Sequence, residues 1–214
     1  MPAKPQTSTE WVDGFLFVGN QLALDFLNTR PVLSEGPKEL LADADALVRW
    51  LVASGALTSH KGKGLARRWG SSPQAGRFLR DLLAFRERLR TAVIRLEAGL
   101  PVSDAFVAEI NSLLEQHPFV QVLRRDGRKF RREVAFEPQE PEEVWAPIAM
   151  AAAELLSDVP ANRVRKCESC VVHYRDTSKK GSRRWCSMNI CGNKVKVAAY
   201  QKRNRAAEEN ASKS

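Results

Sequence analysis

Apolar residues recur along most of this chain at the three- and four-residue steps of a helix. The clearest run lies in residues 72–99, where Phe78, Leu82, Phe85, Leu89, Val93 and Leu96 share one face. That is the single apolar stripe of an amphipathic helix. Ser72-Pro73 marks its start, because proline is tolerated in a first turn, and Gly99-Leu100-Pro101 marks its end. Asp43 predicts a capped helix through Ser54, with Leu47 and Leu51 on one face and Gly55 as its stop. A shorter helix is expected over residues 58–69, weakened by Gly62 and Gly64. Ser103 caps another that reaches His117 and carries Phe106, Ile110, Leu113 and Leu114. Pro141-Glu-Glu143 opens a helix to Leu156, with its acids at the positive end of the helix dipole.

The N-terminal pattern is more broken. Residues 1–9 read as a flexible tail, and residues 15–18 as a short strand. Gly19-Asn20 offers a turn and a helix cap, residues 21–28 a short buried helix, and residues 29–37 a loop. Over residues 119–136 the period changes from helical to alternating. Two runs flank Asp126-Gly127, which predicts a β-hairpin. Residues 158–162 read as a linker.

Charge divides the chain at that linker. The 214 residues carry 34 Lys and Arg against 25 Asp and Glu, a net charge of +9. Residues 1–160 have a net charge of −1, and residues 161–214 one of +10. The basicity therefore belongs to the last quarter, where a polyanionic partner is expected. No stretch approaches the roughly 20 apolar residues that span a bilayer. A cytoplasmic protein with reduced thiols is expected, with no membrane partner.

The four cysteines all fall in the basic quarter, as Cys167-x2-Cys170-x15-Cys186-x4-Cys191. Two tight thiol pairs are what a closed tetrahedral zinc site uses. The alternatives are free core cysteines or disulfides, and a reducing compartment disfavours the latter. One structural Zn2+ is the expected cofactor. His173 lies inside the module as a competing ligand. The long spacer is expected to form a hairpin, residues 171–176 pairing with 183–186 across a turn at Gly181. A basic helix should follow Cys191. The fold expected is thus α+β, with two domains. Residues 1–160 form a mainly helical N-terminal domain with one β-hairpin, and residues 161–214 a small treble-clef-like zinc module.

Arg165-Lys-Cys-Glu-Ser-Cys170, Gly181-Ser-Arg-Arg-Trp-Cys186 and Cys191-Gly-Asn-Lys194 resemble the CGNR zinc finger. Phe17-Val-Gly-Asn-Gln-Leu-Ala-Leu-Asp-Phe-Leu-Asn-Thr29 resembles the start of the ABATE domain, which precedes that finger in bacterial proteins. The resemblance implies a stress-response transcription regulator, with DNA binding through the finger and sensing by the N-terminal domain. It departs at one position: the signature ends in Arg, and here Lys194 keeps the charge but not the bidentate fork.

The residues expected to meet nucleic acid are Arg183, Arg184, Asn193, Lys194, Lys196, Lys202 and Arg203. Helix capping competes for Asn193, and a merely solvated face competes for the charges. Trp185 should pack against the cysteine knuckle. In the first domain, Arg86 and Arg90 fall inside the apolar arc of the long helix, at about 40° and 80° from Leu82 on a 100° wheel. A buried guanidinium needs an anionic partner. Asp25, in an apolar helix, could supply it as a salt bridge to Arg86. The sharper reading is a pocket for a small acidic ligand lined by Asn28, Thr29, Arg86 and Arg90.

No phosphate loop or hydrolase motif is present, Lys61-Gly-Lys-Gly64 being too short, and His60, His117 and His173 are scattered. No enzyme is expected. The leading function is a zinc-dependent, double-stranded-DNA-binding transcription regulator, with a homodimer as one expected assembly. The alternatives are a zinc-stabilised protein-interaction or RNA-binding module, or an enzyme acting on an acidic metabolite.

Overall fold

The computed structural model describes residues 10–33, 36–70 and 72–211. The tail expected at residues 1–9 lies outside them, as do the side chains of His60, Lys61 and Lys63. About 53% of the chain is helical, and the described strands pair only as two-stranded ribbons, so the mainly helical α+β class holds.

In chain order the elements begin with the ribbon β1 (Trp11–Val12) and β2 (Phe15–Leu16), then α1 (Leu22–Leu27) and the ribbon β3 (Val32–Leu33) and β4 (Gly36–Pro37). Helices α2 (Ala44–Ala53), α3 (Ser59–Trp69), α4 (Pro73–Glu97) and α5 (Asp104–Gln116) follow. The hairpin β5 (Val120–Asp126) and β6 (Lys129–Ala135) comes next, then a short 3-10 turn (Pro141–Val144) running into α6 (Trp145–Ser157). The C-terminal part holds β7 (Val164–Lys166), β8 (His173–Arg175), a wide π-type turn (Met188–Gly192) and α7 (Asn193–Ala211).

The polar punctuation acts as the pattern predicts. Asp43, Ser72 and Ser103 each accept a backbone N–H at the start of α2, α4 and α5. These bonds satisfy donors that a helix start otherwise leaves unpaired. Gly127 adopts a positive φ of 59°, which suits the first central residue of a tight hairpin turn. At α1 the expected cap is displaced by one residue. The N-cap is Gln21, whose side-chain oxygen accepts from Ala23 and Leu24, while Asn20 takes a left-handed φ of 56° in the turn before it.

Two apolar cores result. The larger packs α1 to α6 around α4, with Trp145 edge-on to both Phe78 and Phe85 and Phe26 tilted against Trp50. The smaller joins Cys167, Val172, Tyr174, Cys186 and Cys191 to Leu16 and Val18 of the N-terminal segment. Leu16 of β2 and Val18 after it therefore complete the core of the C-terminal module, which is too small to bury a core of its own.

Candidate metal centre and nucleic-acid interface

β7 and β8 pair antiparallel, Val164 with Arg175 and Lys166 with His173. The Cys167–Cys170 knuckle is the loop between them. The expected hairpin is corrected on this point: β8 pairs back to β7 and not forward to residues 183–186. The reason is local, since the two-residue cysteine spacing already forms the tight turn a short ribbon needs. The long spacer folds as a loop instead. Gly181 turns it with a φ of 62°, and the buried Asp176 carboxylate holds it by accepting from the N–H groups of Ser178 and Arg183.

The four sulfur atoms converge within 4.8 Å of one another. Cys170 Sγ and Cys191 Sγ each lie 3.7 Å from Cys186 Sγ. A tetrahedron with metal–sulfur bonds of about 2.3 Å has edges of about 3.8 Å. The spacing therefore fits one enclosed ion, and no disulfide joins these thiols. Ser169 N–H points at Cys167 Sγ from 3.5 Å, as a knuckle backbone should. His173 is not a fifth candidate, because its ring Nδ1 meets Glu97 Oε1 at 2.8 Å.

The thiols are electrostatically unequal before a metal binds. A hydrogen bond from Cys186 draws the Cys170 thiol down to about 5. The same contact, with burial, pushes Cys186 up, and burial raises Cys191 to about 11. A cation is what allows all four to ionise together.

Ser187 starts the last helical segment, its hydroxyl accepting from Asn189 and Ile190 N–H. Cys191 thus sits in the first, widened turn, where the helix dipole favours a thiolate. Gly192 is confined there: a Cβ would come within 2.6 Å of Met188 Sδ and 3.3 Å of the half-buried Trp185 ring. This placement corrects the capping role considered for Asn193. The helix starts at Ser187, so the Asn193 side chain is exposed one turn inside it.

The seven basic and polar candidates divide into two groups. Arg183 stacks over the Tyr174 ring at 4.4 Å and donates to Trp185 O, so it serves the loop. Arg184 is forked onto both Glu168 oxygens and lies over Trp185. Asn193, Lys194, Lys196, Lys202 and Arg203 are exposed along α7 and make no ion pair among the described residues. Every position from 193 to 205 of that helix is exposed. At about 1.5 Å per residue it projects about 28 Å.

The sequence reading missed the clamp between domain and module. The outward edge of β8 is paired by the segment around α1, which stands in for a third strand. Gly19 O accepts from Arg175 N–H, and the Asn20 amide donates to Arg175 O. The Asn28 amide donates to His173 O and accepts from His173 N–H, at 2.8 and 3.0 Å. Asp25 fixes the turn by accepting from Gly19 N–H at 2.8 Å. A Cβ on Gly19 would lie 2.8 Å from Asp25 N, so only glycine fits. Asn28→Ala would strip two buried strand groups of their partner, at about 1–3 kcal/mol each. The expected result is a lower denaturation midpoint with metal content retained, measured by urea titration of the metal-loaded chain.

Thr29, Arg86 and Arg90 are brought together, but as a bonded network, while the Asn28 side chain is committed to His173 of β8. Arg86 is 1% exposed. Its guanidinium takes Glu39 through both nitrogens, at 2.8 and 2.5 Å, and also Thr29 Oγ1 and Glu87. The carboxylate partner is thus Glu39 from the loop before α2, where Asp25 was expected. Arg90 donates to Glu87 and to Leu27 O. Glu39→Ala leaves a buried cation without its main counter-charge, at about 3 kcal/mol. Pairing it with Arg86→Met should recover most of that loss, a double-mutant comparison that thermal melts resolve.

The fold and the sulfur cluster define a zinc-finger protein: a helical domain clamped to a four-cysteine metal module. Residues 20–159 match the ABATE family, described as "Putative stress-induced transcription regulator", and residues 163–204 match the CGNR zinc finger. The chain belongs to the ABATE family, with the CGNR finger following in the same order. Neither family is enzymatic. A comparison with curated proteins finds no match. Among the described residues, no helix is long and apolar enough to cross a membrane.

Proposed function

We propose that this protein is a zinc-dependent transcription regulator that binds double-stranded DNA through its C-terminal module. One Zn2+ held by Cys167, Cys170, Cys186 and Cys191 is structural in this reading, since four thiolates leave no position for water. The observation that carries it is α7: a helix tied to the metal cluster through Cys191, exposed at every position from 193 to 205, and bearing cations that form no ion pair among the described residues. On a helical wheel Lys194, Lys202 and Arg205 lie within about 80°, and Lys196 and Arg203 lie opposite. A helix in a major groove meets phosphates on both flanks in this way, with Asn193 and Lys194 nearest the base edges. Family membership supports the same reading.

The test is titration of the zinc-loaded chain onto genomic DNA fragments at rising salt. Saturable binding that weakens linearly in log salt is expected. Binding absent at low salt would overturn the proposal.

Exposed Val197 and Tyr200, one turn apart on α7, favour a second reading in which two copies pair there. Light scattering with Tyr200→Ser separates it, as a dimer through this face should become a monomer. An acidic ligand at Arg86 would have to displace the Glu39 carboxylate, which already occupies the guanidinium.

A further inference from the structure

The basic C-terminal quarter is not the only concentration of positive charge. Strands β5 and β6 and their turn carry Arg124, Arg125, Arg128, Lys129, Arg131 and Arg132 against only Asp126 and Glu133. Averaging over the neutral first domain conceals this. We propose that the β5–β6 hairpin is a second DNA-contacting element, a basic β-ribbon arm that lies against the minor groove of the same duplex. This inference rests on the DNA-binding reading above.

The outer part of the ribbon stands in solvent. Its root is held by Phe119 edge-on to Phe136, and residues 123–132 are all exposed. An isolated two-stranded hairpin is marginal in water. This one nevertheless holds ten consecutive exposed residues, 123–132, at its far end.

The register sorts its side chains. Arg124 opposes Arg131, and Arg125 opposes Phe130, so successive pairs face opposite sides. On one side Glu133 answers Arg124 and Arg131. On the other, Leu123, Arg125, Phe130 and Arg132 form a mixed cationic and apolar surface, with Arg125 stacked over the Phe130 ring at 4.8 Å. Leu123 is 69% exposed and Phe130 58%. Arg128, Lys129 and Arg132 form no ion pair among the described residues, although Asp126 opposes Lys129 in the register.

Unpaired cations flanking exposed apolar side chains on a narrow ribbon match what the minor groove accepts. Arginines follow its negative potential, and an apolar wedge unstacks a base step. An acidic protein would answer the charge equally, but it would not call for a ribbon only two strands wide.

The position suits a shared duplex. Past the hairpin, Gln139 bonds to Trp69 and Glu142 to Gln74, at the N-terminal end of α4. The metal module docks at the other end, through Glu97 and His173. The intervening helix spans about 35 Å, close to the roughly 34 Å of one duplex turn.

Cations on a lone ribbon also oppose edge-to-edge aggregation, so the test must separate the two roles. The full chain carrying Arg125→Ser, Arg128→Ser, Lys129→Ser and Arg132→Ser is compared with wild type on a genomic duplex of about four turns. All four residues are exposed, and circular dichroism with metal content checks the fold. The expected result is a log-affinity against log-salt slope lower by about 3 to 4. Hydroxyl-radical protection should shorten by about one turn on one side of the site. Leu123→Ser with Phe130→Ser should keep the slope and reduce affinity about tenfold.

A wild-type slope and footprint in the four-site variant would overturn the arm while leaving DNA binding by the module intact. The same result accompanied by dissociation of a dimer would assign the ribbon to a second copy. A preference for single-stranded RNA over duplex would also overturn the arm. No salt-sensitive binding by wild type would overturn both proposals.

Discussion

Cys186→Ser is expected to abolish tight metal binding and to melt the C-terminal module while leaving the helical domain folded. Cys186 is the hub of the cluster, 3.7 Å from both Cys170 and Cys191. A seryl oxygen there is a poorer, harder ligand with a far higher pKa than a thiol. Structural zinc in modules of this size contributes on the order of 10 kcal/mol of apparent binding free energy. Much of it is folding free energy for a module whose own apolar core holds few residues. The large core contains no cysteine and should keep its cooperative melt. The measurement is metal per chain by atomic emission, together with proteolysis. Cleavage should move into residues 177–185 and α7, with helices α2 to α6 protected and the exposed β5–β6 hairpin cut as in wild type. One metal per chain in the variant, held as tightly as in wild type, would refute the ligand assignment.

Proton release gives the same site a pH signature. The thiol of Cys170, at about 5, is ionised at neutral pH, whereas Cys191, at about 11, and Cys186, also raised, keep their protons until metal arrives. Metal binding at pH 7 must therefore expel the Cys186 and Cys191 protons. Affinity rises with pH as proton competition falls, and it drops steeply on acidification. In the metal-free fold the signs oppose one another. The depressed Cys170 contributes stability that is full only above the ordinary thiol value of about 9, declines through neutral pH, and is lost as pH falls through about 5. The raised Cys186 and Cys191 favour the fold while protonated, a contribution lost as pH climbs past the ordinary thiol range and through about 11 for Cys191.

What could be read in advance follows a physical line. Features set by neighbours in sequence were legible. The capping residues, the Asp126-Gly127 turn and the cysteine spacing act within a few residues of themselves. The burial of Arg86 was also legible, since a wheel places it in the apolar arc. Its partner was not, because Glu39 reaches it across 47 residues of chain through a loop that carries no period. The Gly19–Asn28 segment is visible in sequence as a motif, but its role is not. Its polar atoms are spent on backbone groups of β8, about 145 residues away, and a backbone edge leaves no signature in side-chain pattern. The β7–β8 pairing was missed for a similar reason: the long spacer looked like the hairpin, yet the knuckle had already made one. The charge of the β5–β6 ribbon vanished in an average over 160 residues. Its alternation predicts a hairpin but does not say which face meets solvent.

The second large effect is expected on α7. Lys194→Ala, Lys196→Ala, Lys202→Ala and Arg203→Ala together should lower the log–log salt slope of DNA binding by about 3 to 4, near 0.9 for each phosphate no longer neutralised. Stability should be almost unchanged, since none of the four is buried or ion-paired among the described residues. Alanine also favours the helix. Arg184→Ala is the control, because Glu168 already holds that guanidinium, and a smaller change is expected. Lys194→Arg then distinguishes a phosphate contact from a base contact at the position where this chain departs from the finger's signature. An arginine and a lysine neutralise a phosphate alike, so slope and affinity for unrelated fragments should stay the same. If the side chain instead faces a guanine edge, the restored fork adds about 1–3 kcal/mol of discrimination. The variant would then prefer particular fragments that wild type does not. A slope unmoved by the four-alanine variant would remove α7 from the interface altogether, whatever the DNA affinity of the whole chain.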